Sequence, residues 1–280
     1  MQLSVLSPCK LNLFLYITGK RPDGYHNLQT LFVVLNYGDT MTFTQNSDNT
    51  CNIHGSFGFK TEDNLIYKAW KKLHDSFGIG GVDIRIKKTL PMGGGLGGGS
   101  ANAATMLLVL NHINHLNLSE EDLIRIGAAL GADVPIFIKG GTCYAEGIGE
   151  KLTRVKYKDY FYLVVTPSCK VPTKELFASQ DLKKDYPQRS FEELMLTPFE
   201  NCFTKVVEKA YPQVSALLSE LSQYGQSYMS GSGSSCFVAF ESEEKARIAM
   251  QRLQPKYSNI FIAPSVNYNP ILKGLAQYLP

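Results

Sequence analysis

A glycine-rich tract between two apolar segments constrains this chain more than any other feature. Six of the seven residues in the range 93–99 are glycine. The preceding residues 82–86 alternate apolar and polar side chains, which predicts a half-buried strand. The following residues have the apolar spacing of a helix, and Ser100 is predicted to cap that helix. The predicted order is therefore strand, glycine loop and helix start.

This order suits the binding of a phosphate group. Glycine lets a large anion approach the main chain, and a helix start directs free N–H groups and a positive dipole end toward it. The alternative is a flexible linker or a tight turn. Linkers are usually flanked by polar sequence, however, whereas this tract joins two apolar segments. A nucleotide phosphate site is the prediction that follows.

Missing companion motifs exclude the most familiar phosphate loops. No lysine follows the glycines before Lys139, so the tract is not a Walker A loop. The glycine spacing also fits the fingerprint of a dinucleotide-binding site, but that site needs an acidic residue at the end of the following strand. The acidic residues at the right distance, Glu120 and Glu121, lie at a predicted helix start instead, so this class is excluded as well. Neither His-Arg-Asp nor Asp-Phe-Gly occurs, which excludes a protein-kinase loop. A glycine-rich anion loop of another class remains.

The segment from Pro91 to Ser100 resembles the second motif of the GHMP kinase superfamily, whose members phosphorylate small molecules with ATP. The resemblance covers nearly the whole chain. It is closest to members that phosphorylate the 2-hydroxyl of a CDP-linked methylerythritol, in the non-mevalonate route to isoprenoids. It implies an α+β GHMP kinase fold with two domains around a shared cleft. These would be an N-terminal ATP-binding domain over residues 1–155 and a C-terminal ferredoxin-like split β-α-β domain over residues 156–280.

The resemblance places ATP, with Mg²⁺, along the glycine tract. The implied ATP contacts are Pro91, Met92, Gly93, Gly94, Gly95, Leu96, Gly97, Gly98, Gly99, Ser100 and Ala101, with Asn64 and Lys88 near the adenine. Asn64 and Lys88 lie outside the signature motifs. Many relatives have serines where this chain has Gly98 and Gly99, so Ser100 is offset from the usual metal-contacting serine. No magnesium ligand is assigned for that reason.

Two charged residues, Lys10 and Asp133, lie in unusual apolar surroundings. A lysine among large apolar groups can extend its ammonium to solvent, and an aspartate in a turn can bond to nearby backbone. These are the structural alternatives. The surrounding segments resemble the superfamily motifs that carry a catalytic lysine and aspartate. The resemblance therefore implies that Asp133 accepts the hydroxyl proton and that Lys10 balances charge on the phosphoryl group.

A turn-rich segment ends in Tyr25 and His26, which in isolation would be surface residues. By resemblance, Tyr25 stacks on cytosine and His26 bonds its polar edge. The other implied substrate contacts are Asn12, Phe32, Thr173 and Phe177, with Phe177 facing Tyr25 across the base. Residues 230–235 are either a glycine hairpin or, by resemblance, the third motif beside the phosphate loop.

Composition excludes several classes of protein. A net charge of +3 is too small to indicate a nucleic-acid or membrane partner, and neither a signal peptide nor a long apolar span is evident. The six cysteines are scattered, which predicts reduced thiols in a cytoplasmic protein. His112 and His115 are read as surface residues rather than metal ligands. The expected partner is a small molecule, and the oligomeric state is open. Two rivals remain: another GHMP kinase, and a catalytically silent nucleotide-binding protein.

Three local predictions concern the main chain. Residues 36–39 are expected to form a turn, and Asp63 is expected to cap a helix that ends before Gly78. In the first strand, Leu11, Leu13 and Leu15 are expected to share one face.

Overall fold

The computed structural model describes residues 2–55 and 58–278, which form an α+β fold around a ten-stranded mixed sheet. Its strands are β1 Gln2–Lys20, β2 His26–Asn46, β3 Cys51–His54, β4 Gly81–Lys87, β5 Thr142–Glu146, β6 Lys151–Arg154, β7 Phe161–Val165, β8 Ser227–Met229, β9 Cys236–Phe240 and β10 Ile260–Val266. The strand predicted over residues 82–86 is therefore confirmed as β4.

Helices pack on the sheet and connect its strands. They are α1 Leu65–Phe77, α2 Gly98–Ile113, α3 Glu120–Ala128, α4 Val134–Lys139, α5 Thr173–Ala178, α6 Phe191–Met195, α7 Thr204–Ala210, α8 Pro212–Leu221, α9 Glu243–Leu253 and α10 Pro270–Leu275, with short 3₁₀ turns at Thr61–Asp63 and Ala276–Tyr278. Helices α7 and α8 are separate although nearly continuous in sequence, because Pro212 begins a new helix after Tyr211.

The sheet has two halves that meet at β10. Its main path runs β3-β4-β2-β10-β7-β9-β8, while β1 and β5 pair with β2 and β6 pairs with β5. In the C-terminal half, the order β10-β7-β9-β8 with helices between the strands is the predicted split β-α-β arrangement, so that prediction is confirmed. Strand β10 joins β2 through Ser265 and Val266.

Residues 36–39 do not reverse the chain, so the predicted turn is wrong. They lie inside β2, where the pairing with β1 shifts register between Pro8 and Cys9. Gly38 allows the two strands to come close at this irregularity, because a Cβ there would lie 1.9 Å from the carbonyl oxygen of Ser7. The turn-forming residues therefore make a bulge in a long strand.

A second irregularity interrupts β1 beside the site described below. The register with β2 shifts between Asn12 and Leu15. Leu11 and Leu13 therefore pack in the central apolar cluster, whereas Leu15 packs in the C-terminal one. The expectation that these three leucines share a face is wrong, because an extra residue reverses the alternation of side chains.

Two predicted helix caps are also corrected. Helix α2 begins at Gly98 after Gly97, so Ser100 lies within the first turn and cannot be its cap. Asp63 ends the short 3₁₀ turn, and the Asn64 side chain instead accepts a hydrogen bond from the Ile66 N–H at 3.0 Å. Helix α1 ends, as predicted, before Gly78, which has left-handed backbone.

The apolar interior has three clusters, one in each half and one between them. Ile271 and Leu275 of α10 belong to the N-terminal cluster, although they follow the whole C-terminal half in sequence. The domain division at residue 155 stays a prediction, and it falls in the segment between β6 and β7. Within the described residues, every helix is too short or too polar to cross a membrane.

Candidate active site

The glycine loop joins β4 to α2 and has a backbone that other residues would strain. Gly93, Gly95 and Gly97 have φ angles of 76°, 75° and 75°. A Cβ at Gly95 would lie 2.2 Å from the carbonyl oxygen of Ser230, and one at Gly97 would lie 2.8 Å from the Phe137 ring. Glycine is therefore required both by conformation and by close packing.

The loop between β8 and β9 supports the glycine loop. The Ser235 N–H donates to the Gly94 carbonyl at 3.1 Å, and the Ser230 hydroxyl donates to the Gly95 carbonyl at 3.0 Å. The same Ser230 hydroxyl accepts from the Asn12 N–H at 3.2 Å. The two interpretations of residues 230–235 are thus compatible, because this hairpin loop also packs beside the glycine loop.

A buried carboxylate, Asp39, fixes both ends of the glycine loop. It accepts from the N–H groups of Thr89 and Leu90 at 2.8 and 3.0 Å, just before the loop. It also accepts from the Asn102 amide of α2 at 3.1 Å and forms an ion pair with Lys88. Sequence reasoning missed Asp39, because it lay in a predicted turn with no periodic signal around it.

A cleft of about 320 Å³ lies over the glycine loop. It is lined by Phe59, Asn64, Leu65, Ile66, Lys88, Pro91, Met92, Gly93, Gly94, Gly95, Leu96, Gly97, Gly98, Gly99, Ser100 and Asn102. All the predicted ATP contacts are in this set except Ala101, which is fully buried in the first turn of α2. We call this cleft the glycine-loop cleft.

A second cleft of about 500 Å³ adjoins the first. All six predicted substrate contacts line it: Asn12, Tyr25, His26, Phe32, Thr173 and Phe177. Lys10 and Asp133 line it as well. Gly95 and Ser100 line both clefts, so the two spaces meet at the start of α2. We call this cleft the aromatic cleft.

Lys10 and Asp133 face each other in the aromatic cleft. The Lys10 Nζ lies 3.4 Å from the Asp133 Oδ2, and the two side chains are 3% and 35% exposed. Asp133 precedes α4, but its side chain makes no hydrogen bond to the first turn of that helix. The alternative in which Asp133 serves only to bond the backbone of a turn is therefore wrong. The buried Lys10 likewise does not extend its ammonium to solvent. Its Nζ lies 5.4 Å from the centre of the Phe32 ring.

Asn12 completes the surroundings of the lysine. The Lys10 ammonium donates to the Asn12 Oδ1 at 2.5 Å, and the Asn12 Nδ2 donates to the Thr30 hydroxyl at 2.8 Å. The Thr30 hydroxyl in turn donates to the Phe14 carbonyl at 2.6 Å. All of these side chains are buried. Sequence reasoning placed Asn12 in the site but gave no role to Thr30.

Aromatic rings form the far end of the aromatic cleft. The His26 ring stacks on Phe177 with a centroid distance of 5.1 Å and an interplanar angle of 23°, while Tyr25 is 60% exposed. The His26 Nε2 is buried and has no hydrogen-bond partner among the residues that the structure describes. Burial, with smaller effects from the charges of Lys184 and Lys20, lowers the pKa of His26. A base held between Tyr25 and Phe177 stays a prediction.

A pair of hydroxyl groups belongs to the wall of the aromatic cleft. The hydroxyls of Thr173, at the start of α5, and Ser232 are 2.7 Å apart. Both residues line this cleft. The β8–β9 loop therefore contacts the glycine loop on one side and α5 on the other.

The sheet order, the glycine loop and the joined clefts define the class of protein. Residues 64–141 match the family profile described as the GHMP kinases N terminal domain, and residues 184–259 match GHMP kinases C terminal. A homoserine kinase from Cytophaga hutchinsonii has the same fold, with a TM-score of 0.64, 18% identity and 96% of each chain covered. The chain is a GHMP kinase by fold and by both profiles.

Relatives with higher sequence identity show to which family of GHMP kinases the chain belongs. A curated 4-diphosphocytidyl-2-C-methyl-D-erythritol kinase from Vibrio cholerae serotype O1 is 44% identical over 274 residues, covering 97% of this chain and 94% of the relative. A crystal structure of 4-(cytidine 5'-diphospho)-2C-methyl-D-erythritol kinase has a TM-score of 0.81 and 28% identity, covering 94% of this chain and 99% of the other. This chain belongs to the 4-diphosphocytidyl-2-C-methyl-D-erythritol kinase family.

Proposed function

We propose that this protein transfers the γ-phosphoryl group of ATP to the 2-hydroxyl of 4-diphosphocytidyl-2-C-methyl-D-erythritol, as an enzyme of non-mevalonate isoprenoid biosynthesis. Family membership supports the reaction and the substrate. The observation that carries the proposed geometry is the junction of the two clefts at Gly95 and Ser100, with Lys10 and Asp133 on the aromatic side.

ATP would occupy the glycine-loop cleft, with its phosphates over the start of α2. Free backbone N–H groups and the helix dipole favour an anion there. Mg²⁺ would enter with ATP, since this ion usually binds substrate phosphates and keeps several waters. Asp39 is already occupied by Thr89, Leu90, Asn102 and Lys88, so we assign it to holding the loop and assign no protein ligand to the ion.

The acceptor would occupy the aromatic cleft, with its 2-hydroxyl beside Asp133. The Asp133 carboxylate would take the hydroxyl proton as the new O–P bond forms and the bond from the γ-phosphorus to the ADP oxygen breaks. Lys10 would stabilise the negative charge that spreads over the transferring group. Because phosphoryl transfer depends mainly on positioning and charge, a buried lysine held by three neighbours suits this role.

Cytosine would bind at the aromatic end of the cleft, stacked between Tyr25 and Phe177 and bonded by His26. The buried, unpartnered Nε2 of His26 supports this, because a buried polar atom without a partner is costly unless a ligand provides one.

We further propose a cytoplasmic enzyme. All six cysteines are free, and burial raises the pKa of Cys51, Cys143 and Cys202 to about 12, which keeps these thiols protonated.

One assay distinguishes the proposed function from its rivals. Purified protein, ATP and Mg²⁺ would be mixed with a panel of acceptors, and ADP release would be measured. We expect turnover with the CDP-linked methylerythritol alone. Turnover with mevalonate, homoserine or a sugar instead would select another GHMP kinase. Nucleotide binding without turnover of any acceptor would select a catalytically silent protein.

A further inference from the structure

We infer that Thr30 is a positioning residue for phosphoryl transfer: its hydroxyl fixes the side-chain amide of Asn12 so that the amide oxygen, and not its nitrogen, faces the Lys10 ammonium. This inference rests on the proposed function for its catalytic meaning. It concerns a fully buried residue on β2 that lies outside both clefts.

Hydrogen-bond chemistry leaves one arrangement for these groups. A threonine hydroxyl has a single hydrogen, and Thr30 donates it to the Phe14 carbonyl at 2.6 Å. The Thr30 oxygen can then only accept, so the Asn12 atom 2.8 Å away must be the amide nitrogen. The Asn12 oxygen is consequently directed to Lys10, whose ammonium has hydrogens to donate and no acceptor.

The Phe14 carbonyl is the fixed end of this chain of bonds. The β1–β2 register shifts between Asn12 and Leu15, and Phe14 lies within that interruption. The Thr30 hydroxyl donates to this carbonyl at the point where the regular pairing is interrupted. The irregularity therefore orients Thr30, Thr30 orients Asn12, and Asn12 holds the ammonium.

Loss of the Thr30 hydroxyl would release the amide. In Thr30→Val the Asn12 nitrogen would be a buried donor without an acceptor, and the amide would be held only by its bond to Lys10. The amide would then turn more freely, and the Lys10 ammonium would lose the fixed acceptor that holds it beside Asp133. Valine has nearly the shape of threonine, so the change removes the hydroxyl with little change in packing volume.

Kinetics of a matched set of variants provide the first test. We expect Thr30→Val to lower kcat at least about tenfold, because small displacements of reacting groups are costly. KM for ATP should stay the same, because Thr30 does not line the glycine-loop cleft. Thr30→Ser keeps the hydroxyl and should restore kcat. The control is Thr142→Val, a buried threonine on β5 that pairs with Val33, and it should behave as wild type.

A second readout does not depend on turnover. Hydrogen exchange of the Asn12 side-chain amide, identified by the NMR signal that Asn12→Ala lacks, should be slow in the wild type and in Thr30→Ser. It should be at least about tenfold faster in Thr30→Val, because the buried bond to Thr30 is gone. Should Thr30→Val fail to fold, Thr30→Cys, whose thiol bonds only weakly, should show the same loss of kcat and faster exchange.

The outcomes separate this inference from the proposed function. Wild-type kcat in Thr30→Val, unchanged amide exchange, or a Thr30→Ser variant as impaired as Thr30→Val would each overturn the role of Thr30. If instead the wild type turns over no CDP-linked methylerythritol, the proposed function fails, while amide exchange still decides whether Thr30 holds Asn12.

Discussion

The Lys10 Nζ lies 3.4 Å from the Asp133 Oδ2, although one residue is in the first strand and the other precedes α4. The pair lines the aromatic cleft, which meets the glycine-loop cleft at Gly95 and Ser100. We expect Asp133→Asn to lower kcat by about 10²–10⁴, because a general base is lost while the side-chain shape is kept.

Lys10→Met should lower kcat by about 10²–10³ through loss of charge stabilisation. Steady-state ADP release would measure both.

The control for this pair is Asp75→Asn, which neutralises an exposed aspartate that pairs with Lys71 on α1. It should leave kcat unchanged. An Asp133→Asn enzyme with normal kcat, or one in which only KM changes, would rule out the proton-accepting role.

Two glycines of the same tract should respond in opposite ways to alanine. Gly95→Ala would place a methyl group 2.2 Å from the Ser230 carbonyl at a positive φ, so we expect a loss of about 2 kcal/mol or more in unfolding free energy. Gly99 lies in the first turn of α2, and outside that turn no described atom lies within 4 Å of a Cβ placed there, so Gly99→Ala should gain up to about 1 kcal/mol in unfolding free energy. Urea unfolding of both variants would measure this, and equal stability would contradict the packing described for the loop.

Replacement of Asp39 should destabilise the glycine loop, because Asp39 bonds residues on both sides of it. Asp39→Ala leaves the Thr89 and Leu90 N–H groups without their acceptor and Lys88 without its partner, so we expect a loss of about 3 kcal/mol in unfolding free energy. ATP affinity, measured by calorimetry on the folded variant, should fall with it. A stable variant with normal ATP affinity would show that the loop holds its shape without Asp39.

The aromatic cleft offers a test of base recognition. Phe177→Ala should raise KM for the cytidine substrate about tenfold or more, since stacking on an aromatic ring contributes about 1–3 kcal/mol per base, and KM for ATP should not change. Phe77→Ala, an exposed phenylalanine at the end of α1, serves as the control. If KM for the cytidine substrate is the same in both variants, cytosine does not stack on Phe177.

His26 makes stability depend on pH in a defined direction. Because its pKa in the folded state is lowered from 6.5, chiefly by burial, the unfolded state binds the proton more readily. The stability contributed by the neutral ring is present above pH 6.5 and is lost as the pH falls through the folded-state pKa. The wild type should therefore lose more stability than His26→Gln between about pH 7.5 and pH 5.5 in urea unfolding. Parallel losses in the two proteins would exclude His26 as the cause.

Local patterns in the sequence predict much of the fold. The alternation in residues 82–86, the helix start at Glu120 and the end of α1 before Gly78 all correspond to the structure. The errors occur where an extra residue or a close approach overrides a local preference. Gly38 lies in a bulge instead of a turn, and the irregularity after Asn12 reverses the face on which Leu15 packs.

The site is predictable only in part, for a physical reason. The glycine tract indicates an anion loop by itself, and resemblance to a family brings Lys10 and Asp133 into the same prediction. Residues such as Asp39 and Thr30 act through hydrogen bonds to partners far away in sequence. No periodicity marks such partners, because each bond depends on the final approach of two strands or of a strand and a loop.

Helix α10 has a consequence for the synthesis of the chain on the ribosome. Its Ile271 and Leu275 complete the apolar cluster on which β1 and α2 pack, yet they leave the exit tunnel after both sheet halves have been made. The N-terminal half, which carries the glycine loop, therefore has part of its apolar cluster exposed to solvent until the C-terminal half has emerged. A nascent chain stalled before residue 270 should consequently be digested by protease in its N-terminal half, whereas the released 280-residue chain should resist.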